Sequence, residues 1–419
     1  MSWKGTSTSA VIQDLLGVPV RSVMLAATGQ HTGKTTLSLG VFRGLVRRWG
    51  KGKVAYMKPL GQRYVDITLP DGTIHKVDRD VEVVRRTFNL ETPWECMSPV
   101  IFPPGYTREC IDGKVSSNDL LSKIKDGFTE LATHADFTLL EGSGHMGVGS
   151  IANLNNAQVA GALGIEVVII APGGLGISFD QLALNKALLE KHGARLRGVI
   201  LNKVEPAKYD MVKDYYGRQL KSLWGTPLLG CIPYQDAISR PSINGFKELL
   251  SGEFIAGEED SFRTFESTRL VVSDGELDKR IYEGVKGQLL ITHESRTDVI
   301  ESMIKNQADT LATSKGTEDL RQGLILVGDN HPSKALVEGL RQSRIPTVFI
   351  KKGITSETAT TYDVMKAMTA FTQKHDYGDQ NRLDQTMDLI EQNIDFDALS
   401  QAAPFGGQMA LRMGKLVHW

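Results

Sequence analysis

Short apolar runs alternate with longer amphipathic stretches along the first 235 residues. In residues 116–133, for example, Leu120, Ile124 and Phe128 recur on one helical face. The apolar runs predict strands at 22–27, 53–57, 136–140, 166–171, 197–201 and 227–231. The amphipathic stretches predict helices at 35–48, 79–88, 116–133, 155–163, 178–192 and 208–223. Strands that alternate with helices are typical of a parallel sheet covered on both faces, so we predict an α/β fold.

A second, shorter series of strands is predicted at 269–273, 287–292, 322–327 and 346–350. Between the two series, the periodicity is lost and charge accumulates, which is typical of a domain boundary. We therefore predict a first domain at 1–250, a linker at 251–267, a smaller α/β domain at 268–375, and a C-terminal helix and tail at 376–419. Within the first domain, Pro70-Asp71-Gly72 predicts the turn of a surface hairpin at 64–78.

The composition of the chain argues against several classes of protein. The chain has 419 residues and a formal net charge of −1, so no global field attracts nucleic acid or acidic membranes. No apolar run is long enough to span a bilayer. Three cysteines (Cys96, Cys110 and Cys231) fit no metal spacing and indicate a reducing compartment. We predict a cytoplasmic protein; organellar import stays open, because the first twenty residues are rich in Ser and Thr.

Residues 21–36, RSVMLAATGQHTGKTT, carry the most informative motif. An apolar strand runs into a turn bounded by Gly29 and Gly33, and a helix follows whose first N–H groups suit an anion. Lys34 can reach a phosphate, and the Thr35 hydroxyl can bind Mg²⁺. The loop is one residue shorter than G-x-x-x-x-G-K-[ST], and a purely structural turn is the alternative. The predicted nucleotide-binding residues are Gly29, Gln30, His31, Thr32, Gly33, Lys34, Thr35 and Thr36.

Charged residues follow the other predicted strands. Lys58 ends the second strand, where it can stabilise a moving phosphoryl group or bind an acidic substrate, or else be a surface lysine. Asp78 and Asp80 open a helix, where they can cap its N–H groups or bind Mg²⁺. Glu141 ends the third strand before a glycine-rich loop, the placement of a Mg²⁺ ligand, although a plain loop acid is the alternative.

Four further polar or turn residues are weaker candidates. Asn202 and Pro233 each follow a strand, and groups there can read the edge of a nucleobase or belong to ordinary turns. His31 and His145 lie in the same loops, and each can contact phosphate or be a polar loop residue.

These segments, in this order, resemble the dethiobiotin synthetase family of P-loop proteins and the similar N-terminal segment of long bacterial phosphate acetyltransferases. The matching pieces are ATGQHTGKTT, YMKPLGQ, LLEGSGH, VVIIAPGGLG, VILNKV and LGCIP. The second domain resembles the DRTGG domain of those acetyltransferases, through VVSDGELDKRIYEG, LLITHESRTDVI and GLILVGDNHPS. Glu294-Ser295-Arg296-Thr297-Asp298 replaces the DRTGG motif. Since the large acetyl-transferring domain is not in this sequence, acetyl transfer is not expected.

The resemblance implies ATP as the nucleotide and Mg²⁺ as the metal. Thr35, Asp80 and Glu141 would bind the metal, and Gly33 and Lys34 the phosphates. Lys34 and Lys58 would be the catalytic lysines, with Lys58 beside the γ-phosphate, and Asn202 would lie near the base. The family and the glycine-rich loop also imply a homodimer or a higher homo-oligomer.

Three functional hypotheses remain open. The first is an ATP-dependent ligase-type enzyme that phosphorylates a carboxylate or carbamate on a small acidic co-substrate. The second is a nucleotide-sensing regulatory module, and the third is a P-loop scaffold that binds no nucleotide. The shortened loop and the GQRYVD segment after Lys58-Pro59 favour the regulatory module.

Overall fold

The computed structural model describes residues 21–30, 32–271, 284–358, 360–371, 373 and 375–401. The chain forms two compact units. The first comprises residues 1–234 and 375–419, and the second comprises residues 235–374. The second unit is thus an insertion in the sequence of the first.

The first unit has eight strands and ten helices among its described residues. The strands are β1 (Ser22–Ala27), β2 (Val54–Met57), β3 (Tyr64–Thr68), β4 (Ile74–Asp78), β5 (Phe137–His145), β6 (Glu166–Pro172), β7 (Arg195–Val204) and β8 (Leu228–Pro233). The helices are α1 (Lys34–Trp49), α2 (Arg79–Phe88), α3 (Trp94–Met97), α4 (Tyr106–Ile111), α5 (Ser117–His134), α6 (Asn156–Leu163), α7 (Gly176–Lys191), α8 (Tyr209–Trp224), α14 (Gln380–Gln392) and α15 (Phe396–Ser400).

Six of these strands form one parallel sheet in the order β2-β5-β1-β6-β7-β8. β3 and β4 pair separately as the antiparallel hairpin that the Pro-Asp-Gly turn predicted. Apolar clusters lie on both faces of the sheet. One cluster includes residues of α5 to α8, and the other includes residues of α1, α2, α14 and α15. The predicted parallel α/β sheet with helices on both faces is confirmed.

Two glycines allow α14 and α15 to lie close to α1. A Cβ at Gly40 would collide with Ile390, and one at Gly44 would collide with Phe396. Beside this contact, Arg43 makes ion pairs with Asp388 and Glu391. Because these contacts bury apolar side chains against α1, the C-terminal helices belong to the core of the first unit.

The second unit contains a five-stranded sheet in the order β10-β11-β12-β13-β9, with β9 antiparallel at the edge. Its strands are β9 (Glu253–Ala256), β10 (Ser267–Val271), β11 (Gln288–His293), β12 (Gly323–Gly328) and β13 (Thr347–Lys351). Its helices are α9 (Asp236–Ser239), α10 (Ile243–Leu249), α11 (Thr297–Thr313), α12 (Lys334–Gln342) and α13 (Thr361–Ala370). The predicted second, smaller α/β domain is therefore present.

The domain limits differ from the predicted ones. Residues 235–250, expected in the first domain, lie in the second unit, and the expected linker at 251–267 supplies β9 and the start of β10. Three of the acidic residues of this segment lie in the short turn of 3₁₀-helix Glu258–Asp260, which follows the edge strand β9. The expected separate C-terminal segment, as far as residue 401, packs in the first unit; residues 402–419 lie outside the described residues.

Among the described residues, no helix combines the length and the apolarity that crossing a bilayer requires. All three cysteines are free thiols.

Candidate functional site

The loop between β1 and α1 has a backbone suited to a phosphate group. It leaves the sheet at Thr28, whose N–H donates to the Ile170 carbonyl over 2.9 Å. It enters α1 through Gly33, whose φ of 86° lies in the left-handed region. A Cβ at Gly33 would also collide with the side-chain amide of Asn202. Both the backbone angle and the lack of space therefore require glycine at position 33. The first N–H groups of α1 point toward the loop, as at any helix N-terminus.

Asn202 supports the loop between β1 and α1. It lies buried near the carboxyl end of β7, and its Nδ2 donates to the Thr32 carbonyl over 2.8 Å. The Thr32 hydroxyl in turn donates to the Gly29 carbonyl over 3.3 Å. These contacts connect Thr32 both to Gly29 and to strand β7. Contact of Asn202 with a base stays a prediction.

Thr35 and Glu141 come together beneath the loop. The Thr35 hydroxyl donates to Glu141 Oε1 over 3.2 Å, and the Tyr56 hydroxyl donates to Glu141 Oε2 over 2.7 Å. Burial, joined by the charges of Glu141 and Asp80, raises the pKa of Tyr56 well above its usual value, so Tyr56 remains a donor. Glu141 lies within β5 and not at its end, because the following Gly142-Ser143-Gly144 continues the strand.

Lys58 is buried among three carboxylates, so the surface-lysine alternative is wrong. Its Nζ lies 2.9 Å from Asp78 Oδ1 and 3.8 Å from Glu141 Oε1, and it also contacts Asp80 Oδ2. Burial alone would lower the pKa of Lys58, but the carboxylates outweigh burial and raise it, which keeps the ammonium charged.

The two aspartates at the start of α2 have different contacts. Asp78 caps the helix by accepting from the Asp80 N–H over 2.9 Å, and it also accepts from the Gln62 N–H over 3.1 Å. The capping alternative therefore holds for Asp78. The Asp80 carboxylate contacts the Lys58 ammonium. This contact favours a role for Asp80 in neutralising the charge of Lys58 over a role as a direct ligand of the metal.

The oxygen atoms of Thr35 and Glu141 fit Mg²⁺ bound together with a nucleotide. Within the described ranges, no group of three or more histidine, cysteine or acidic side chains could hold a metal ion by itself, and the three carboxylates near Lys58 surround its ammonium group. Mg²⁺ typically takes one or two protein oxygens and completes its shell with water and phosphate oxygens. One hydroxyl and one carboxylate 3.2 Å apart match that pattern.

The remaining predicted residues have varied surroundings. Gln30 is exposed at the tip of the loop, and His31 lies outside the described residues. Pro233 ends β8, where it pairs with Val204 of β7. His145 is the last residue of β5 and accepts from the Gly147 N–H over 3.1 Å, and a contact with phosphate stays a prediction.

Three residues near the loop were missed by the sequence analysis. Tyr56 shares a strand face with Lys58, and the alternation of β2 could have indicated it. Lys203 has a left-handed φ of 57°, and its side chain comes close to Gly33. His375 contacts the Thr36 hydroxyl from a distant part of the sequence, which no local pattern indicates.

The family described as AAA_26, an AAA domain, matches residues 21–242, just over half of the chain. The chain belongs to the AAA_26 family. AAA_26 is a P-loop NTPase family, a class of proteins that bind nucleotides. The match includes the loop at 28–36.

Two curated relatives confirm the resemblance seen in the sequence. Phosphate acetyltransferase from Pseudomonas aeruginosa is 26% identical over 402 residues, which are 91% of this chain and 52% of the relative. ATP-dependent dethiobiotin synthetase from Gloeothece citriformis is 28% identical over 220 residues, which are 51% of this chain and 88% of the relative. The AAA_26 chain thus spans about half the length of the acetyltransferases that it matches. The DRTGG assignment of the second unit stays a prediction.

Among solved structures, the MinD cell division protein of Aquifex aeolicus is 16% identical. The alignment covers 52% of this chain and 84% of MinD, with a TM-score of 0.31.

Proposed function

We propose that this AAA_26 protein binds ATP and Mg²⁺ and has a nucleotide-dependent regulatory role. The observation that carries the proposal is the contact between Thr35, in the first turn of the P-loop helix, and the buried Glu141. A hydroxyl and a carboxylate in this position are the protein oxygens that a Mg²⁺–phosphate site uses.

Each part of the site has a physical role in this proposal. Backbone N–H groups of the loop and of the first turn of α1 bind phosphate oxygens, and Lys34 adds a positive charge. Thr35 and Glu141 hold Mg²⁺, which would neutralise phosphate charge when bound. The Tyr56 hydroxyl fixes the orientation of the Glu141 carboxylate, and Asn202 keeps the loop open by holding the Thr32 carbonyl.

The surroundings of Lys58 favour regulation over group transfer. A lysine that serves an acidic co-substrate has to offer its ammonium to that substrate, whereas Lys58 is engaged by Asp78 and Asp80. The alternative is an ATP-dependent ligase that phosphorylates a carboxylate or carbamate. One observation favours this alternative, since Lys58 lies 3.8 Å from Glu141 Oε1, next to the proposed metal.

Titration calorimetry of the full chain with ATP, with and without Mg²⁺, tests the proposal. We expect binding that Mg²⁺ strengthens and that Lys34→Ala abolishes. Lys76→Ala is the matched control, because Lys76 is an exposed lysine paired with Asp66 on the hairpin. Failure of the wild type to bind ATP, GTP or their diphosphates would overturn the proposal.

Phosphate release separates the two functions. A regulatory module is expected to release phosphate slowly, at a rate that small carboxylates or amines with bicarbonate do not change. A marked increase with such a co-substrate, lost in Lys58→Met, would replace regulation by the ligase alternative.

A further inference from the structure

His375 links the C-terminal segment to the nucleotide site. It is the first residue of the first unit after the chain leaves the second unit. Its side chain is buried, and Nε2 lies 2.8 Å from Thr36 Oγ1. Thr36 is in the first turn of α1, directly after the proposed metal ligand Thr35. The segment that begins at His375 therefore reaches the turn that faces the phosphates.

The surroundings of His375 define its hydrogen bonding. Burial first, and then the charge of Arg382 on α14, lower its pKa to about 4, while Asp80 on α2 acts in the opposite direction. The imidazole is therefore neutral near pH 7 and carries one N–H. Among the described residues, Nδ1 has no hydrogen-bond partner. Because a buried N–H without an acceptor is rarer than an acceptor without a donor, the proton belongs on Nε2, which donates to Thr36 Oγ1.

We propose that His375 is a positioning residue for the nucleotide: it donates to Thr36 Oγ1 and so directs the Thr36 O–H to a phosphate oxygen. A hydroxyl that accepts from His375 keeps its own proton for another acceptor. Hydrogen bonds to charged phosphate oxygens are stronger than those between neutral groups. This inference rests on the proposed nucleotide binding.

The same contact couples the nucleotide to the C-terminal segment. If the His375–Thr36 contact strengthens nucleotide binding, then by thermodynamic linkage the nucleotide strengthens the docking of that segment. The docked residues include α14, whose Ile390 lies against Gly40 of the P-loop helix. Nucleotide binding therefore stabilises the point at which the chain returns from the second unit.

Variants of His375 in the full chain test the inference through the dissociation constant for Mg²⁺-ATP. We expect His375→Ala to weaken binding about tenfold, the loss of one hydrogen bond to a charged group. His375→Gln, whose side-chain amide can donate to Thr36, is expected to restore most of the affinity. Ile390→Ala is the control, because it loosens the same helix without touching Thr36.

Hydrogen exchange gives a second measurement. In the wild type, Mg²⁺-ATP is expected to slow exchange in residues 380–392, and in His375→Ala this protection is lost. Equal affinities for wild type, His375→Ala and His375→Gln would overturn the inference, as would equal losses in His375→Ala and Ile390→Ala. Failure of the wild type to bind any nucleotide is a different result, because it also removes the proposed function.

Discussion

The Thr35 hydroxyl donates to Glu141 Oε1 over 3.2 Å although 106 residues separate the two in the sequence. The contact joins the P-loop helix to strand β5, which pairs in parallel with β1. Two oxygen atoms, one on helix α1 and one on strand β5, are thus held at a spacing that a divalent ion can bridge. We therefore expect the metal and the nucleotide to bind together, and each to bind only weakly without the other.

Glu141→Gln removes the carboxylate charge and keeps the side-chain shape. We expect the Mg²⁺-dependent part of ATP affinity to fall at least tenfold, or about 1.4 kcal/mol, because the metal loses its charged ligand. Titrations with Mg²⁺ and with a chelator measure this difference. The control is Glu190→Gln, which changes an exposed acid on α7 paired with Lys186. An unchanged dependence on Mg²⁺ in Glu141→Gln would remove Glu141 from the metal site.

Lys58→Met leaves Asp78, Asp80 and Glu141 buried without their ammonium partner. We expect a loss of about 3–5 kcal/mol in the free energy of unfolding, as for other broken buried ion pairs. Urea denaturation measures this loss, and Lys76→Met on the exposed hairpin should cost at most about 1 kcal/mol.

The double variant Lys58→Met/Asp80→Asn tests the charge group itself. Asp80→Asn removes one of the uncompensated charges. The loss of unfolding free energy in the double variant should therefore be smaller than the sum of the two single losses by about 0.5–3 kcal/mol. Strict additivity would mean that the two side chains do not interact in solution.

Gly33→Ala combines a left-handed backbone with a collision against Asn202. We expect a loss of about 1–2 kcal/mol from the backbone alone, with a further loss from the collision. In Gly33→Ala/Asn202→Ala the collision is relieved although the contact of Asn202 with Thr32 is lost, so the loss of thermal stability should be smaller than the sum of the two single losses. A double variant that is less stable than the sum of the two single losses would contradict this geometry.

The pKa of His375 predicts a specific dependence of stability on pH. Its folded-state pKa is lowered to about 4 from the usual 6.5, so the unfolded chain binds the proton first as the pH falls. His375 therefore destabilises the fold progressively from about pH 6.5 to pH 4, by a total of about 3 kcal/mol. Below about pH 4 both states are protonated and its contribution stays constant. Denaturation of wild type and His375→Gln across this range isolates the effect, and parallel curves would contradict it.

The homodimer expected from the sequence stays a prediction, and exposed apolar residues of α7 allow it to be tested. Leu188 on this helix lies near Gly147 of the glycine-rich loop, while Ile177 and Leu184 are exposed. If this surface is the subunit contact, Leu184→Glu should convert a dimer into a monomer in light scattering. Leu223→Glu, on an exposed position of α8, should leave the mass unchanged. A wild-type monomer at all concentrations would disprove the dimer.

Local pattern was sufficient for the parallel strands of both sheets. The prediction for β1, residues 22–27, has the limits found in the structure, because a continuous apolar run identifies a buried parallel strand. Glu141 was misplaced at a strand end because glycines have no side-chain pattern, although their backbone continues β5 to His145.

Contacts between residues far apart in the chain could not be predicted from the sequence. The 251–267 segment was assigned to a linker from its charge, yet strand β9 depends on hydrogen bonds to β13, almost a hundred residues later. In the same way, the contact of His375 with Thr36 follows from the packing of α14 on α1, and nothing near either residue indicates it.

The insertion of the second unit has a consequence for synthesis on the ribosome. When β8 emerges, the strands of the first sheet are complete, but Ile390 and Phe396, which cover Gly40 and Gly44, are not yet translated. At about 5–20 residues per second the delay is on the order of ten seconds or more. Throughout that interval the apolar side of the nascent helix α1 lacks its cover from α14 and α15, so this stage of biosynthesis exposes the chain to aggregation.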